Sequence, residues 1–163
     1  MKHAIFLAAL IACNSDEGVG TEAPSPGELA PATGAIVKTT ETGPVKTTVT
    51  VWPGKPSLGE PIYLRLAVEA PPGITVDMPF QQAGDSKLGR FAITAFTHEK
   101  PTQQTYVLEP PASGKSRIPP MRLEMIDPRK AAGSAAGAGK PTEILTDEIP
   151  LDVAPMSDAT ETV

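Results

Sequence analysis

Two stretches of this chain alternate apolar and polar side chains with the period of a β-strand, and no stretch keeps the period of a helix. In residues 45–52 the apolar side is formed by Val45, Thr47, Val49 and Val51. In residues 62–69 it is formed by Ile62, Leu64, Leu66 and Val68. Because successive side chains of a strand point to opposite faces, each stretch predicts a half-buried antiparallel strand.

Shorter stretches predict further strands between Pro- and Gly-containing turns. They cover residues 74–78, 91–96, 105–109, 121–126 and 143–153. In residues 91–96 the pattern predicts one face with Phe91, Ile93 and Ala95 and the opposite face with Ala92, Thr94 and Phe96. The chain is therefore expected to contain at least seven short strands at the spacing of hairpins.

The composition favours turns over helices, since 163 residues include 19 prolines and 14 glycines. Short strands that are apolar on one face must bury that face against a second sheet. We therefore expect an all-β fold, an immunoglobulin-like antiparallel β-sandwich of about 7–9 strands. The domain is predicted to span residues 36–155, a size typical of one domain.

Three segments lack the large apolar side chains that a folded core needs. Residues 13–35 are predicted to form a disordered tether, and residues 156–163 a disordered tail. Residues 131–140 consist of Ala, Gly and Ser with one Lys and are predicted to be a flexible loop.

The first residues have the features of an export signal. A lysine and an eight-residue apolar run precede Cys13, the only cysteine, and the run is too short to cross a bilayer. The motif Leu10, Ile11, Ala12 and Cys13 resembles a bacterial lipobox. The resemblance implies that residues 1–12 are a lipoprotein signal peptide and that Cys13 carries a lipid anchor. An ordinary secretory signal, or a free thiol at Cys13, is the open alternative.

The residue after the anchor and the charge of the chain bear on location and partners. Asn14 stands where the resemblance would place Asp in a protein retained at the inner membrane, so the outer membrane of the cell envelope is expected. The formal net charge is −5, and removal of residues 1–12 takes away Lys2. A mildly acidic chain without a basic stripe is not expected to bind nucleic acid.

The order of the strand landmarks resembles one immunoglobulin-like domain of the BatD-like aerotolerance proteins. Residues 48–53 and 58–62 resemble the opening of that domain. The continuation includes Pro79 and residues 88–91, 106–110, 113–114, 118–123 and 148–153. The resemblance covers residues 45–154 and implies the fold and a binding role in the envelope. The chain differs from that family in having a single such domain and a lipobox, where the family has several domains and a transmembrane segment.

The residues needed for catalysis are sparse. His98 is the only histidine after residue 12, and one histidine without a cysteine or a second histidine at metal spacing does not make a zinc site. The serines Ser57, Ser86, Ser113 and Ser116 lie in turn-like sequence outside a Gly-x-Ser-x-Gly elbow. We therefore expect an exposed turn histidine, no catalytic residue, no metal and no cofactor.

Paired carboxylates are the alternative route to catalysis, because glycosidases need two of them at a fixed separation. The candidates are Asp77, Asp85, Glu109, Glu124, Asp127, Asp147, Glu148 and Asp152. Solvated strand edges account for most of them, and Trp52, Tyr63 and Tyr106 are the aromatic residues available for a sugar platform. The pair Asp147-Glu148 lacks the rest of a calcium loop.

Three further positions have both a structural and a functional interpretation. Tyr106 is expected to tie a crossing loop through its hydroxyl, with a partner contact as the alternative. Trp52 lies out of phase with the apolar face, so it either covers an edge or is an exposed anchor that contacts a partner. Pro119 and Pro120 are expected at an edge or at the start of a strand, where they prevent wrong pairing.

Two functions from different classes remain. The first is a noncatalytic, membrane-anchored module that binds another envelope protein through a strand edge or loops. The second is a small envelope hydrolase or carbohydrate-binding module that uses the carboxylates. A concave pocket with converging ionisable groups would favour the second.

Overall fold

The computed structural model describes residues 30–31, 33–79, 87–128 and 140–156. These residues contain eleven strands and no α-helix. The strands are β1 (Ile36–Thr42), β2 (Val45–Trp52), β3 (Ile62–Glu69), β4 (Thr75–Asp77), β5 (Lys87–Leu88), β6 (Phe91–Lys100), β7 (Gln103–Glu109), β8 (Gly114–Ile118), β9 (Arg122–Ile126), β10 (Thr142–Leu145) and β11 (Ile149–Val153).

The strands form two layers. One layer is a six-stranded sheet in the order β1-β2-β3-β7-β6-β5, and every pair in it is antiparallel. The other layer consists of a three-stranded sheet, β10-β9-β4, and a two-stranded sheet, β11-β8. This architecture confirms the prediction of an all-β, immunoglobulin-like antiparallel sandwich, although the eleven strands of the described residues exceed the predicted number of about 7–9.

One apolar core joins the two layers. The six-stranded sheet contributes the predicted apolar sides of β2 and β3, and Leu64 and Leu66 are completely buried. Leu123, Met125 and Ile144 face them from the other layer. The alternation in residues 45–51 and 62–69 therefore has the predicted phase.

The predicted alternation in residues 91–96 is wrong beyond Ile93. Phe91 is fully buried, but the register of β6 against β7 shifts between Ile93 and Ala95. Such a β-bulge adds one residue to one strand and reverses the facing of all that follow. Phe96 consequently pairs with buried Tyr106 on the inner side of the sheet, whereas Ala95 pairs with Val107 on the other side.

The predicted strand 143–153 is two strands that belong to different sheets. β10 pairs with β9, and β11 pairs with β8. Thr146, which is buried between them, accepts a hydrogen bond from the Met121 backbone N–H through its hydroxyl at 2.8 Å. The Thr146 backbone N–H donates in return to the Met121 carbonyl, so this corner is fixed by two hydrogen bonds.

The connection between β2 and β3 is fixed by the end of β11. Leu58 donates its backbone N–H to the Ala154 carbonyl, and Ala154 donates to the Pro56 carbonyl, each at 2.8 Å. Ser57 and Ala154 form a parallel bridge there. The residue that follows β11 is therefore hydrogen-bonded to the connection that joins β2 to β3.

Several predictions fall on residues outside the described ranges. These are the signal peptide, Cys13, most of the tether, residues 131–139 of the loop and residues 157–163 of the tail. Met156 is described and is exposed. Within the described ranges there is no helix whose length and hydropathy would let it cross a membrane.

Candidate functional site

The six-stranded sheet has one face that does not contact the core, and we call it the outer face. Residues that lie opposite each other in neighbouring strands share a face, so the register defines this surface. The outer face consists of Val37, Thr39, Glu41, Lys46, Thr48, Thr50, Trp52, Tyr63, Arg65, Ala67, Glu69, Lys87, Ala92, Ala95, Thr97, Lys100, Gln103, Thr105, Val107 and Glu109.

The middle of this surface is dominated by threonine and small apolar side chains, and Arg65 is the one charged residue there. Charged side chains lie at its ends. Lys46 pairs with Glu69 at 3.6 Å at one end, and Glu109 lies opposite Ala92 at the other. The middle of the outer face therefore carries one charge, that of Arg65, and the other charged side chains lie at the ends.

The solvent face of the other layer has a different composition. It carries Lys115, Arg117, Arg122, Glu124, Glu143 and Asp152 on β8, β9, β10 and β11. Arg122 forms salt bridges with Glu143 at 2.6 Å and with Glu124 at 3.2 Å. This layer has the mixed charges of an ordinary solvated sheet surface.

Arg65 lies at the centre of the outer face, over a buried aromatic ring. Its guanidinium carbon is 5.1 Å from the ring centroid of Trp52, a cation–π arrangement. Its Nε donates a hydrogen bond to the Thr105 hydroxyl at 3.3 Å. Trp52 also stacks on Tyr63, with ring centroids 5.5 Å apart and an interplanar angle of 20°.

Of the two interpretations that the sequence leaves open for Trp52, the structure contradicts the exposed anchor that contacts a partner. Only 4% of Trp52 is exposed, so its ring supports Arg65 and Tyr63 and offers little surface of its own. Trp52 does face away from the core, as its phase predicts. The sequence contains no signal for the covering residues, because they lie on β3 and meet Trp52 only through the β2–β3 register.

Tyr106 has the structural role that the sequence predicts. Its ring is buried, and its hydroxyl donates to the Pro79 carbonyl at 3.1 Å, which ties the segment after β4 to β7. The carboxamide oxygen of buried Gln104 is a second acceptor for the same hydroxyl, so the two oxygens share its one hydrogen. Tyr106 therefore belongs to the framework of the sandwich.

His98 is exposed, as predicted, but it lies within β6 and not in a turn. Its Nδ1 is 3.1 Å from the carboxamide nitrogen of Gln104, and its ring meets Phe96 edge to face. Ser57 lies in the β2–β3 connection and Ser116 on β8 in the other layer. The structure describes Ser113 just before β8 and leaves Ser86 outside the described ranges.

The candidate carboxylates are distributed over the molecule. Glu124 and Glu148 are paired with arginines, Asp127 is buried, and Asp85 lies outside the described ranges. Asp147 and Glu148 are exposed before β11, and Asp77 lies on β4. In the part of the chain that the structure describes, no three His, Cys, Asp or Glu side chains are grouped for a metal ion.

An open groove of about 520 Å³ runs along β8 and β11. Its lining residues are Lys115, Ser116, Arg117, Pro150, Leu151 and Asp152. Lys115 lies opposite Asp152 in the register, and Arg117 forms a salt bridge with Glu148 at 3.1 Å. Opposite charges are therefore already adjacent along this groove.

Pro119 and Pro120 lie in the connection from β8 to β9, just before β9 begins, in agreement with the prediction of a position near the start of a strand. Pro119 packs against Gly89 in the β5–β6 hairpin, where a Cβ would lie 2.9 Å from the proline ring. Gly89 also has a φ of +60°, so its lack of a side chain serves both the turn and this contact.

Comparisons with protein-family models, with curated proteins and with solved structures give no match for this chain. The motifs that resemble BatD-like proteins map onto β2, β7, β9, β11 and their turns.

Proposed function

We propose that this chain is a membrane-anchored, noncatalytic lipoprotein of the cell envelope that binds another envelope protein through the outer face. The observation that carries the proposal is the middle of the outer face, where threonine, small apolar and aromatic side chains surround Arg65. A solvent-facing sheet surface normally carries mixed charges, as the other layer does. The partner belongs to an envelope stress or assembly system of the BatD type, on the strength of the motif resemblance.

The composition of the outer face supports a protein interface. Interface centres are depleted in Lys, Glu and Asp and enriched in Tyr, Trp and Arg, and charged residues lie at the rim. Tyr63 and Arg65 lie on this face with the buried Trp52 ring beneath Arg65, and Lys46 and Glu69 lie at one end. A partner would thus remove water from threonine methyl groups and aromatic carbon atoms without removing it from many charged groups.

The anchor gives this face access to a partner. In the proposal Cys13 carries the lipid in the outer membrane, and residues 13–35 form the tether that follows it. A flexible coil of this length has a root-mean-square reach of roughly 25 Å. The domain can therefore meet a periplasmic partner while it remains attached to the membrane.

A photo-reactive amino acid in living cells tests the binding surface. We expect incorporation at Thr97 on the outer face to give a crosslink to one discrete envelope protein. Thr75, which is exposed on the other layer, is the matched position. Thr48→Lys should abolish the Thr97 crosslink because it places an unpaired charge in the interface, whereas Thr75→Lys should leave it intact.

The pattern of crosslinks decides the outcome. Crosslinks that are equally strong from Thr75, or that persist in folded Thr48→Lys protein, would contradict binding through the outer face. Circular dichroism and thermal melting confirm that each variant keeps the sandwich. A substrate turned over by the purified chain would instead support the hydrolase alternative.

Cys13→Ser tests the anchor separately. The unmodified serine cannot accept a thioether-linked lipid, so we expect the variant to leave the membrane fraction or to remain unprocessed. The measured mass of the wild-type protein should exceed the calculated mass of residues 13–163 by the mass of the lipid. Unchanged membrane partition of Cys13→Ser together with a lipid-free wild-type mass would refute the lipoprotein proposal.

A further inference from the structure

Each sheet of the sandwich ends in strands that have a neighbour on one side only. Among the described residues these edge strands are β1 and β5, β10 and β4, and the pair β11 and β8. β1 has seven residues, whereas the other edge strands have five or fewer. Because alternate N–H and C=O groups of an edge strand point away from its neighbour, β1 offers the longest row of such groups.

The composition of β1 favours the addition of a further strand. Five of its seven residues are Ile, Val or Thr, which are β-branched and enriched in strands, and it contains neither proline nor glycine. By contrast, β11 contains Pro150, and Pro119 directly follows β8. A segment of high β-propensity at an open edge tends to pair with the same segment of another molecule.

Lys38 lies on the side of β1 that faces the core. It is opposite Val49 in the register, and Val49 is 1% exposed. Its neighbours on that side of β1 are Ile36, which packs against the core, and Thr40, which is opposite buried Thr47. Lys38 itself is exposed, and none of the salt bridges among the described residues includes it. The inner side of β1 therefore carries a single charge.

The other charged residue of β1 is placed differently. Glu41 lies on the outer side, opposite Lys46 of β2, so an opposite charge faces it across the two strands. Lys38 has an apolar residue in the corresponding position. Of the two charges, only that of Lys38 points toward the interior of a sandwich that continues beyond β1.

Pairing of two β1 strands would bring two copies of Lys38 together. A two-fold axis perpendicular to the sheet leaves the inner sides of both strands on the same side of the joined sheet. The register that pairs all seven residues has its axis at Thr39 and makes the two lysines diagonal neighbours, roughly 7–8 Å apart. An axis at Lys38 makes them directly opposite. Like charges at such positions destabilise a strand pair.

We infer that Lys38 prevents the β1 edge from pairing with a second copy of the chain and thereby keeps the protein monomeric. This inference is independent of the proposed function, because it concerns an edge of the sheet and not the outer face. The ammonium group is solvated while β1 faces water. It loses water and meets a like charge only when two β1 edges pair.

The test compares Lys38→Val with Glu41→Val in the full chain carrying Cys13→Ser, so that no lipid drives association. We expect sedimentation velocity at micromolar concentration to show a monomer for the parent chain and for Glu41→Val. Lys38→Val should shift to a dimer or a larger species. Lys38→Glu should remain monomeric, because two glutamates at this position repel each other as two lysines do.

Two further variants separate the charge from the apolar character of valine. Lys38→Gln removes the charge without adding an apolar side chain, and it should also associate. Lys38→Val/Thr40→Lys moves the charge to the next position on the inner side, and it should return the protein to a monomer. Circular dichroism confirms that each variant keeps the sandwich.

Hydrogen exchange locates the contact. In the parent chain the N–H groups of β1 that point away from β2 should exchange rapidly, and association of Lys38→Val should protect them. A Lys38→Val assembly without that protection would place the contact elsewhere and overturn the inference. Folded Lys38→Val and Lys38→Gln proteins that stay monomeric would also overturn it, as would a parent chain in which these groups are already protected.

Discussion

Arg65 covers Trp52: the guanidinium carbon lies 5.1 Å from the centroid of a ring that is only 4% exposed. Trp52 is separate from the apolar core between the layers, which in the described residues is built from the inner faces of the strands. The outer face thus has a small packed centre of its own. Arg65, Tyr63 and Thr105 on β3 and β7 hold that centre together.

Loss of the Trp52 ring should affect folding as well as binding. Trp52→Ala removes a buried aromatic side chain, so we expect a decrease of about 3–5 kcal/mol in the free energy of unfolding. Urea denaturation measures it. Val37→Ala is the control, because Val37 is on the same face and 57% exposed, and it should change stability by less than about 0.5 kcal/mol. Equal losses for the two variants would mean that Trp52 is not packed as described.

Thr47 brings an unsatisfied hydroxyl into the core. The residue is 1% exposed, and among the described residues its Oγ1 has no hydrogen-bond partner. A buried polar group without a partner costs about 1–3 kcal/mol, and valine has nearly the same shape as threonine. We therefore expect Thr47→Val to raise the free energy of unfolding by about 1 kcal/mol.

Thr48→Val is the matched control for Thr47→Val. Thr48 is the next residue of β2, lies on the outer face, and its hydroxyl is 3.4 Å from that of Thr39. Thermal melting of both variants should show stabilisation for Thr47→Val alone. Destabilisation by Thr47→Val would indicate that the hydroxyl does have a partner in solution.

The sequence predicts the sandwich and most strand faces because burial of one face imposes a period of two on each strand. It fails at β6, where the bulge after Ile93 reverses the facing of Ala95 and Phe96. It also fails at residues 143–153, where a threonine side chain fixes a corner between two sheets. Both features depend on neighbours that are distant in the chain, so local periodicity does not contain them.

The outer face was only partly predictable for the same reason. The polar side of β2 is visible in the sequence, but the strand order and register are needed to join it with β3, β7 and β6 into one surface whose middle has few charges. Trp52 stands out in the sequence because it is a tryptophan and lies out of phase with the apolar side of β2. Arg65 could be recognised as its partner only from the pairing of β2 with β3.

The Tyr106 hydroxyl links two segments and satisfies a buried carboxamide. Tyr106→Phe removes the one O–H donor that the Pro79 carbonyl and the Gln104 carboxamide oxygen share. We expect a loss of about 1–3 kcal/mol in the free energy of unfolding. Hydrogen exchange should also quicken at Met78, next to Pro79.

Tyr63→Phe is the control for Tyr106→Phe, since Tyr63 is half-exposed on the outer face. It should change stability by less than about 0.5 kcal/mol. A Tyr106→Phe protein as stable as wild type, with unchanged exchange at Met78, would refute the tying role of the hydroxyl.

Gly54 allows the segment before β1 to pass close to the end of β2. A Cβ at Gly54 would lie 2.1 Å from the Gly34 carbonyl oxygen, a distance at which backbone must move. Gly54→Ala should therefore displace residues 33–35 and lower the free energy of unfolding by about 1–3 kcal/mol, as other overpacked sites do. Lys55→Ala, at the next and exposed position, should leave stability unchanged within about 0.5 kcal/mol. Chemical denaturation of both variants measures the difference, and a Gly54→Ala protein as stable as Lys55→Ala would show that the two segments do not approach each other in this way.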